Sequence, residues 1–451
     1  MSIVAAARLD RLPISKFHHR ILWLIGLGMF FDTSDIYLAG AVLGALVKSG
    51  WSNVNLNATF ISATFLGLVL GSWMSGFVGD HFGRKFSYQF NLLIYGLGSL
   101  ACAFAPNMTF LTIMRGITGV GLGAEVVTGY ATLSEFVPPS TRGKWQAYLA
   151  LITNSGLAGA GVLGYLIIPN LGWRWMFVFV TVGALIVLYF RRVLPESPRW
   201  CEARGNHDKA EKIVRAIEEE IEKERGTALP PVEAQHPGTE KKEHMPYFSL
   251  FRSPLLRRTV LVSVMLICQT VGVYTIVNWL PTILIKQGIS ISKSLAFNAV
   301  ASLGGPFGVF IGSLVVDRLG RKWTGAGLFF MFAVTSYIYG FQSQVAMLVV
   351  LGFVLFTFLY ILNPICYALY PAELYPTEIR VRGSGTSVAL ARLANVITPY
   401  IIARLLTVSG PRPVFELLGL VSVLTALVVA TIGIETKKRT LEQTSFVAAA
   451  R

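Results

Sequence analysis

A short charged motif occurs twice in this chain, each time in a break between two long apolar segments. The first copy is Asp80-His-Phe-Gly-Arg-Lys85 and the second is Asp317-Arg-Leu-Gly-Arg-Lys322. Two matched breaks between segments of membrane-spanning length indicate that the chain consists of two copies of one membrane unit. This repeat restricts the fold more than any other feature of the sequence.

The composition indicates an integral membrane protein. Charged residues make up 14% of the 451 residues, compared with roughly 25% in soluble proteins, and the mean hydropathy is +0.59. The net charge of +15 does not indicate a nucleic-acid partner, because Lys and Arg stand in short clusters beside apolar segments and form no continuous basic face. The four cysteines and six histidines have neither disulfide nor metal-ligand spacing, so we expect no metal and no cofactor.

Twelve apolar segments are close to the length of about 20 residues that a helix needs to cross a bilayer. We therefore predict an all-α membrane protein with twelve transmembrane helices. The predicted spans are residues 21–46, 57–79, 87–105, 110–132, 144–168, 173–194, 258–284, 296–316, 324–341, 345–369, 383–407 and 413–434. A cleaved signal peptide is not expected, since the first apolar segment is too long and contains acids.

The positions of Lys and Arg predict the orientation in the plasma membrane. Basic residues collect before the first span, in alternate loops and after the last span, while the intervening loops carry little charge. Because cytosolic loops are enriched in Lys and Arg, we expect both termini in the cytosol. The predicted organisation is a cytosolic segment 1–20, a six-helix bundle 21–194, a cytosolic linker 195–257 with a helical part, a second six-helix bundle 258–434 and a cytosolic tail 435–451.

The repeated loops also predict a conformational latch. If these loops served only to fix the orientation in the membrane, positive charge would be enough, and the same Asp-x-x-Gly-Arg-Lys order would not be needed twice. A Glu followed by an Arg also recurs after spans four and ten, and such pairs could join the two halves in one conformation and separate in the other. The candidate latch residues are Asp80, Gly83, Arg84, Lys85, Glu135, Arg142, Asp317, Gly320, Arg321, Lys322, Glu373 and Arg382. The alternative is a set of simple surface salt bridges.

These loops, together with three further motifs, resemble the major facilitator superfamily over nearly the whole chain. The further motifs are Pro195-Glu-Ser-Pro-Arg199, Pro376-Thr-Glu-Ile-Arg380 and Glu435-Thr-Lys-Lys-Arg-Thr-Leu-Glu442. More narrowly, the chain resembles the sugar-porter-like and metabolite:proton symporter branches. The resemblance implies two pseudo-symmetric six-helix bundles, alternating access, a cavity lined mainly by spans 1, 4, 7 and 10, and a monomer surrounded by membrane lipids.

Three acids inside the spans are the candidate proton-coupling residues. Asp32 lies about 17 Å into a hydrocarbon core about 30 Å thick. Asp35 follows on nearly the same helix face, so the two carboxylates would repel each other if both were ionised. Glu125 lies deep in span four, too far along the helix from Arg115 to pair with it directly. The chain resembles aromatic-acid:proton symporters in its Asp-x-x-Asp, although Thr33 stands where these have Gly.

Arg392 is the clearest candidate for a substrate contact. It lies near mid-depth in span eleven, where its guanidinium must meet an acid, backbone carbonyls or an anionic ligand. A permanent partner such as Asp32, Asp35 or Glu125 is the competing interpretation. The other candidate contacts, with helix packing or a structural ion pair as alternatives, are Arg115, Gln269, Tyr274, Asn278, Trp279, Asn363 and Tyr367.

The sequence therefore predicts a proton-coupled symporter that imports a small organic anion, such as an aromatic or nicotinate-like carboxylate. A sugar or polyol:proton symporter is the alternative, weakened because Cys268 replaces the first Gln of the paired-Gln sugar-porter motif while Gln269 keeps the second. A nutrient sensor that keeps the fold without transporting is an alternative of another class. An enzyme is not expected, since the sequence has no nucleophile triad, nucleotide loop or metal set.

Overall fold

The first half of the chain folds into long helices joined by short turns. The computed structural model describes residues 5–232, 246–375 and 379–436. Apolar segments this long become helices because a helix satisfies every backbone hydrogen bond within itself, as lipid requires. The helices of the first half and of the linker are α1 (Ala5–Asp10), α2 (Lys16–Lys48), α3 (Val54–Phe82), α4 (Arg84–Ala103), α5 (Met108–Phe136), α6 (Arg142–Leu171), α7 (Arg174–Phe190), α8 (Pro198–Ala203) and α9 (His207–Arg225).

The second half repeats this pattern with two interruptions. Its helices are α10 (Leu255–Lys286), α11 (Ile291–Ser302), α12 (Gly304–Leu319), α13 (Lys322–Gly340), α14 (Val345–Pro364), α15 (Tyr370–Leu374), α16 (Arg380–Val408) and α17 (Arg412–Ile432). The eighth predicted span divides into α11 and α12 at Gly304-Gly-Pro306, residues that weaken a helix interior. The tenth ends at Pro364, which has no backbone N–H to donate, and a π-helical turn, Ile365–Leu369, follows.

Among the described residues, ten helical segments are long and apolar enough to cross a membrane. The two remaining members of the predicted set are α4, with 20 residues, and α13, with 19. At 1.5 Å per residue each measures about 30 Å, which matches the hydrocarbon thickness. The helices mostly begin a few residues before the predicted spans, as α2 does at Lys16.

Contacts within the chain define two compact units, and the first contains α1, α4, α5, α8, α9 and most of α7. It comprises Met1–Ile36, Leu66–Gly156 and Phe177–Glu240. One core of this unit joins membrane helices to the linker helix α9, whose Ile217 and Ile221 pack with Phe17 and Trp145. Charged residues cover the rest of α9, so an apolar stripe docks a helix that is otherwise polar.

The second compact unit contains α10 to α17 together with parts of first-half helices. It comprises Tyr37–Phe65, Leu157–Met176 and Lys241–Arg451. Within it, α10 packs on α16 and α13 packs on α17. The Tyr360 hydroxyl donates to the Tyr37 hydroxyl at 2.9 Å, and the Ser62 hydroxyl donates to the Val396 carbonyl at 2.7 Å. Parts of α2 and α3 therefore belong to the same compact unit as the second-half helices.

The two copies of the charged motif adopt one geometry. Gly83 and Gly320 have φ angles of 93° and 92°, in the region where glycine avoids a side-chain clash. Each glycine precedes a helix whose first backbone N–H groups are bound by a carboxylate. Glu196 accepts from Arg84 N at 2.7 Å, and Glu435 accepts from Arg321 N at 2.9 Å. A carboxylate at a helix N-terminus satisfies N–H groups that the helix itself leaves unpaired.

Candidate functional site

A fully buried ion pair holds Asp35 in the first unit. Arg115 Nη1 donates to Asp35 Oδ2 at 2.7 Å, and neither side chain is exposed. Arg115 Nη2 donates to the Asp35 backbone carbonyl at 3.3 Å, and the Ser99 hydroxyl donates to Asp35 Oδ1 at 3.1 Å. Of the competing interpretations of Arg115, this structure therefore supplies the structural ion pair.

A second buried ion pair joins Glu125 on α5 to Arg191, which follows α7. The Arg191 guanidinium donates to Glu125 Oε1, and it also donates to two backbone carbonyls of α2, those of Leu24 at 3.0 Å and Ile25 at 3.2 Å. It lies 4.5 Å from the centre of the Tyr88 ring. As the sequence spacing predicts, the partner of Glu125 is not Arg115.

Arg191 is a residue that the sequence analysis did not single out. It stands beside Arg192 at the end of span six, where such a pair is typical of a membrane-interface anchor. A glycine in α2 makes room for it: a Cβ on Gly28 would lie 1.9 Å from Arg191 Nη2. One signal could have found it. Span four gives Glu125 no basic residue close enough to pair with, so a partner had to come from another segment.

Asp32 differs from the two paired acids. Its side chain is fully buried, and neither carboxylate oxygen has a hydrogen-bond partner among the described residues. The ionisable groups close enough to act on it are Glu125, Arg191, Tyr95 and Asp35. The cluster thus holds three carboxyl groups but two guanidinium groups, and both guanidinium groups are engaged by the other two acids.

A cleft in the second unit is lined by aromatic and neutral polar side chains. In this conformation the space that it encloses is about 10 Å³, roughly the room of one water molecule, and it is open at its mouth. The Phe65 and Tyr274 rings meet edge to face with centres 4.6 Å apart. The lining residues are Ile61, Phe65, Tyr274, Thr275, Asn278, Trp279, Asn395, Thr398 and Pro399. The cleft therefore brings together three predicted contacts, Tyr274, Asn278 and Trp279, with α3 and α16 residues that the sequence analysis did not select.

Hydrogen bonds fix the orientation of one amide in this cleft. Asn395 Nδ2 donates to Thr270 Oγ1 at 2.9 Å and to the Ala391 carbonyl at 2.8 Å. The Thr270 hydroxyl donates in turn to the Leu266 carbonyl at 2.8 Å. Since both neighbours of Asn395 Nδ2 must accept, the reversed amide would place its oxygen against acceptors. The side-chain oxygen of Asn395 is left to accept a hydrogen bond.

The remaining predicted contacts lie beside the cleft or away from it. Arg392 is half-buried on α16, and Tyr274 and Tyr367 are two ionisable groups that act on it. Gln269 Nε2 donates to the Leu359 carbonyl at 3.3 Å, which ties Gln269 to helix packing. Asn363 is half-buried and Tyr367 is exposed, and neither belongs to the cleft lining.

The candidate latch residues form equivalent ion pairs in the two halves. Arg84 pairs with Glu135 at 3.1 Å, and Arg321 pairs with Glu373 at 3.1 Å. Each pair lies within one half of the sequence repeat, whereas the sequence analysis considered pairs that join the halves. The side chains of Asp80 and Asp317 lie outside the described residues.

Four other latch candidates occupy different surroundings. The Lys85 ammonium donates to the Arg192 carbonyl at 2.9 Å. Arg142 approaches Asp10 at 3.9 Å, while Arg199 of the Pro195-Glu-Ser-Pro-Arg199 motif holds the same carboxylate at 2.5 Å. Arg382 is exposed on α16, and Lys322 follows the turn at Gly320.

The fold and the intramembrane charges define a class of protein, the twelve-helix membrane transporters of the major facilitator fold. The family model for "Sugar (and other) transporter" matches residues 28–447. The chain belongs to this family of the major facilitator superfamily, and its relatives are transporters rather than enzymes.

Two curated relatives cover almost the full chain. The inner membrane metabolite transport protein YdjE of Escherichia coli (strain K12) is 39% identical over 97% of this chain and 98% of its own. The niacin transporter NiaP of Acinetobacter baylyi is 31% identical over 97% of this chain and 98% of its own. The chain is therefore a multi-pass membrane transporter of metabolites.

A solved structure shares the fold at low sequence identity. The partially occluded, inward-open xylose transporter XylE from E. coli superposes with a TM-score of 0.76 at 19% identity, covering 94% of this chain and all of that one. This similarity confirms the predicted fold class.

Proposed function

We propose that this transporter is a proton-coupled symporter that imports a small organic anion, such as an aromatic or nicotinate-like carboxylate. We place it in the plasma membrane with both termini in the cytosol, since the Lys- and Arg-rich loops belong on that side. The proposal has two parts, a proton site in the first unit and a substrate cleft in the second.

The observation that carries the proton site is the unpartnered carboxyl of Asp32. A buried carboxylate without a counter-ion or hydrogen bond is unfavourable by several kcal/mol or more, so the group is stable there when it carries a proton. The two paired acids, Asp35 and Glu125, are neutralised by Arg115 and Arg191 instead. Asp32 is therefore the group whose charge changes most readily when water reaches it.

The side chains around the cleft suit a substrate with a flat ring, which can bind once the cleft widens. Phe65, Tyr274 and Trp279 supply aromatic surface against which a ring can pack. Arg392 is close to Tyr274 and has the planar guanidinium that binds a carboxylate with two hydrogen bonds. The niacin transporter among the relatives moves a molecule of this kind, which favours an aromatic carboxylate.

The transport cycle follows from these assignments. Protonation of Asp32 on the outer side permits loading of a carboxylate beside Arg392, and release of the proton inside resets the carrier. The Arg84–Glu135 and Arg321–Glu373 pairs, together with the two repeated loops, would rearrange as the halves rock. Arg142 and Arg382 remain candidates for contacts made in the other conformation.

Uptake into proteoliposomes tests the proposal. The purified protein is reconstituted and offered labelled benzoate, nicotinate, xylose and glucose, with and without an inwardly directed proton gradient. We expect a carboxylate to accumulate when the gradient is imposed and to equilibrate without it. Accumulation that is the same with and without the proton gradient would contradict proton coupling. Binding of a carboxylate without its transport would favour a sensor.

A sugar or polyol:proton symporter is the second candidate. The observation that favours it is the neutral polar lining of the cleft, since the side chains of Asn278, Asn395 and Thr398 suit hydroxyl groups. Uptake of xylose or glucose without uptake of any carboxylate, in the same proteoliposomes, would select this candidate.

A further inference from the structure

Three polar side chains follow one another along α16. Arg392, Asn395 and Thr398 stand at intervals of three residues, so each lies about 60° around the helix from the one before it and the row winds slowly around α16. Asn395 and Thr398 line the cleft, and Arg392 is close to Tyr274, another lining residue. At 1.5 Å per residue, Asn395 is about 4.5 Å and Thr398 about 9 Å along the helix from Arg392.

The hydrogen-bonding capacity of this row changes from donor to acceptor along the helix. The Arg392 guanidinium can only donate. Asn395 has both amide hydrogens engaged by Thr270 and Ala391, so its oxygen is available to accept. The Thr398 hydroxyl donates to the Ala394 carbonyl at 2.7 Å, so its oxygen is likewise left as an acceptor.

The rest of the cleft lining offers both acceptors and donors, the donors being the Asn278 amide, the Tyr274 hydroxyl and the Trp279 indole N–H. Among the described residues, Asn278 Oδ1 is buried without a hydrogen-bond partner, and it too needs a donor. The Thr275 hydroxyl can donate or accept, so it adapts to the groups around it. The aromatic rings of Phe65, Tyr274 and Trp279 occupy the remaining wall.

We propose, on the basis of the carboxylate function above, that this row selects an aromatic acid whose ring carries a hydrogen-bond donor, a hydroxyl or an amino group, beyond its carboxylate. The carboxylate lies at Arg392, and the donor meets the oxygens of Asn395 and Thr398. A ring substituent that only accepts, such as a methoxy group or a pyridine nitrogen, gives these two oxygens no donor once the bound ring covers them. An unpaired buried acceptor lowers affinity by about tenfold or more.

Competition for uptake by matched compounds tests this selection. Benzoate uptake is competed in proteoliposomes by 3- and 4-hydroxybenzoate, by the corresponding methoxybenzoates and by nicotinate. We expect at least one hydroxybenzoate to compete about tenfold better than its methoxy counterpart and than nicotinate. Equal competition by hydroxy and methoxy compounds would overturn the inference while leaving the carboxylate function intact. If no carboxylate is taken up, the proposed function fails and this inference fails with it.

Variants on α16 locate the selecting oxygens. Thr398→Val removes the hydroxyl oxygen that we propose as an acceptor. Folding should be little affected, because the hydrogen bond that is lost joins two residues of the same helix. Thr407→Val is the matched control, because the Thr407 hydroxyl makes the same bond to the Ala403 carbonyl at 2.7 Å and lies outside the cleft lining. Asn395→Leu removes the second acceptor.

We expect the hydroxy-to-methoxy preference to fall at least severalfold in Thr398→Val or Asn395→Leu and to be unchanged in Thr407→Val. If Asn395→Leu does not fold, Thr398→Val together with the wild-type comparison of hydroxy and methoxy compounds still decides the result. A preference that survives in both cleft variants, or that falls equally in the control, would overturn the assignment to these oxygens.

Discussion

The two compact units solve the problem of buried polarity in opposite ways. The first unit buries two ion pairs, Arg115 with Asp35 and Arg191 with Glu125. It also buries the Asp32 carboxyl, which has no hydrogen-bond partner among the described residues. The second unit lines a cleft with neutral amides and hydroxyls beside aromatic rings. We therefore propose that the first unit holds and changes charge, and that the second makes adaptable contacts with a small molecule.

This difference suggests a division of labour between proton and substrate. A paired charge is fixed in place because breaking the pair leaves an uncompensated ion, whereas neutral groups can exchange partners at little cost in free energy. Asp32 is the exception in the first unit, since within the described part of the chain neither of its oxygens has a hydrogen-bond partner. The predictions that follow alter one side of this comparison at a time.

The largest effect is expected from breaking the ion pair at Arg191. Arg191→Ala leaves the buried Glu125 carboxylate without its guanidinium, which should destabilise the protein by about 3–5 kcal/mol. Thermal unfolding of the detergent-purified protein measures this as a fall in Tm. The double variant Glu125→Leu with Arg191→Met removes both charges and should recover most of the loss.

The matched control is an ion pair on the surface. Arg412 and Glu416 are 56% and 36% exposed, so Arg412→Ala should change stability by about 0–1 kcal/mol. A fall in Tm for Arg412→Ala as large as that for Arg191→Ala would show that burial of the pair is not what matters.

The next effect tests a feature that the two units share. Gly83→Ala and Gly320→Ala each force a side chain onto a φ angle near +92°, at a strain of about 1–2 kcal/mol. The new Cβ would also lie 2.4 Å from Glu196 Oε2 and 2.7 Å from Glu435 Oε2. Both variants should lower Tm by similar amounts and reduce transport, because the carboxylate must leave the helix terminus.

Gly143→Ala is the control for these two glycines. Gly143 lies near the start of α6 at an ordinary helical angle, and a Cβ there meets nothing within 4 Å. Alanine should therefore be neutral or slightly stabilising. If Gly83→Ala alone affects Tm and transport, the two motifs are not equivalent in the folded protein.

A smaller effect is expected where charges pair on the linker helix α9 of the first unit. Burial by itself would raise the pKa of Glu218 on α9, but hydrogen bonds and charge from Arg8 and Arg11 lower it below its ordinary value. The folded pKa lies below the unfolded value near 4.5, so the contribution of Glu218 to stability is complete above that pH. It is lost as pH falls through the folded pKa.

Glu218→Gln should therefore lower Tm at pH 7 and match the wild type at the most acidic pH that the protein tolerates. Glu219→Gln is the control, because Glu219 is 70% exposed and pairs with Arg215 at 3.8 Å. A Glu218→Gln defect that stays the same as pH falls below 4 would contradict the ion-pair explanation.

The twelve-helix fold could be predicted from the sequence because the bilayer leaves the same mark on every span. Twelve apolar lengths, the basic loops and the doubled Asp-x-x-Gly-Arg-Lys motif each report on the bilayer, which imposes the same demands on every span. The sequence could not distinguish the buried acids from one another. Asp32 and Asp35 look equivalent in the sequence, and only the position of Arg115 separates them.

The cleft that we propose for the substrate contains only some of the predicted contacts. Tyr274, Asn278 and Trp279 were selected because they stand together in one span, whereas Asn395 and Thr398 carry no local signal. Their importance comes from packing between distant segments and from hydrogen bonds that leave one particular atom unpaired. Arg191 was missed for a related reason, since an arginine at a span end is usually an interface anchor.

The measurement that tests the central claim most directly compares Asp32→Asn with Asp35→Asn in proteoliposomes, each assayed for gradient-driven accumulation and for exchange of labelled substrate at equal concentrations. Asn imitates the protonated carboxyl, so Asp32→Asn should lose accumulation and keep exchange. Asp35→Asn leaves the buried Arg115 without its counter-charge and should lower Tm and both activities together. Glu416→Gln, at an exposed pair, should retain both activities. Full gradient-driven accumulation by Asp32→Asn would contradict the account.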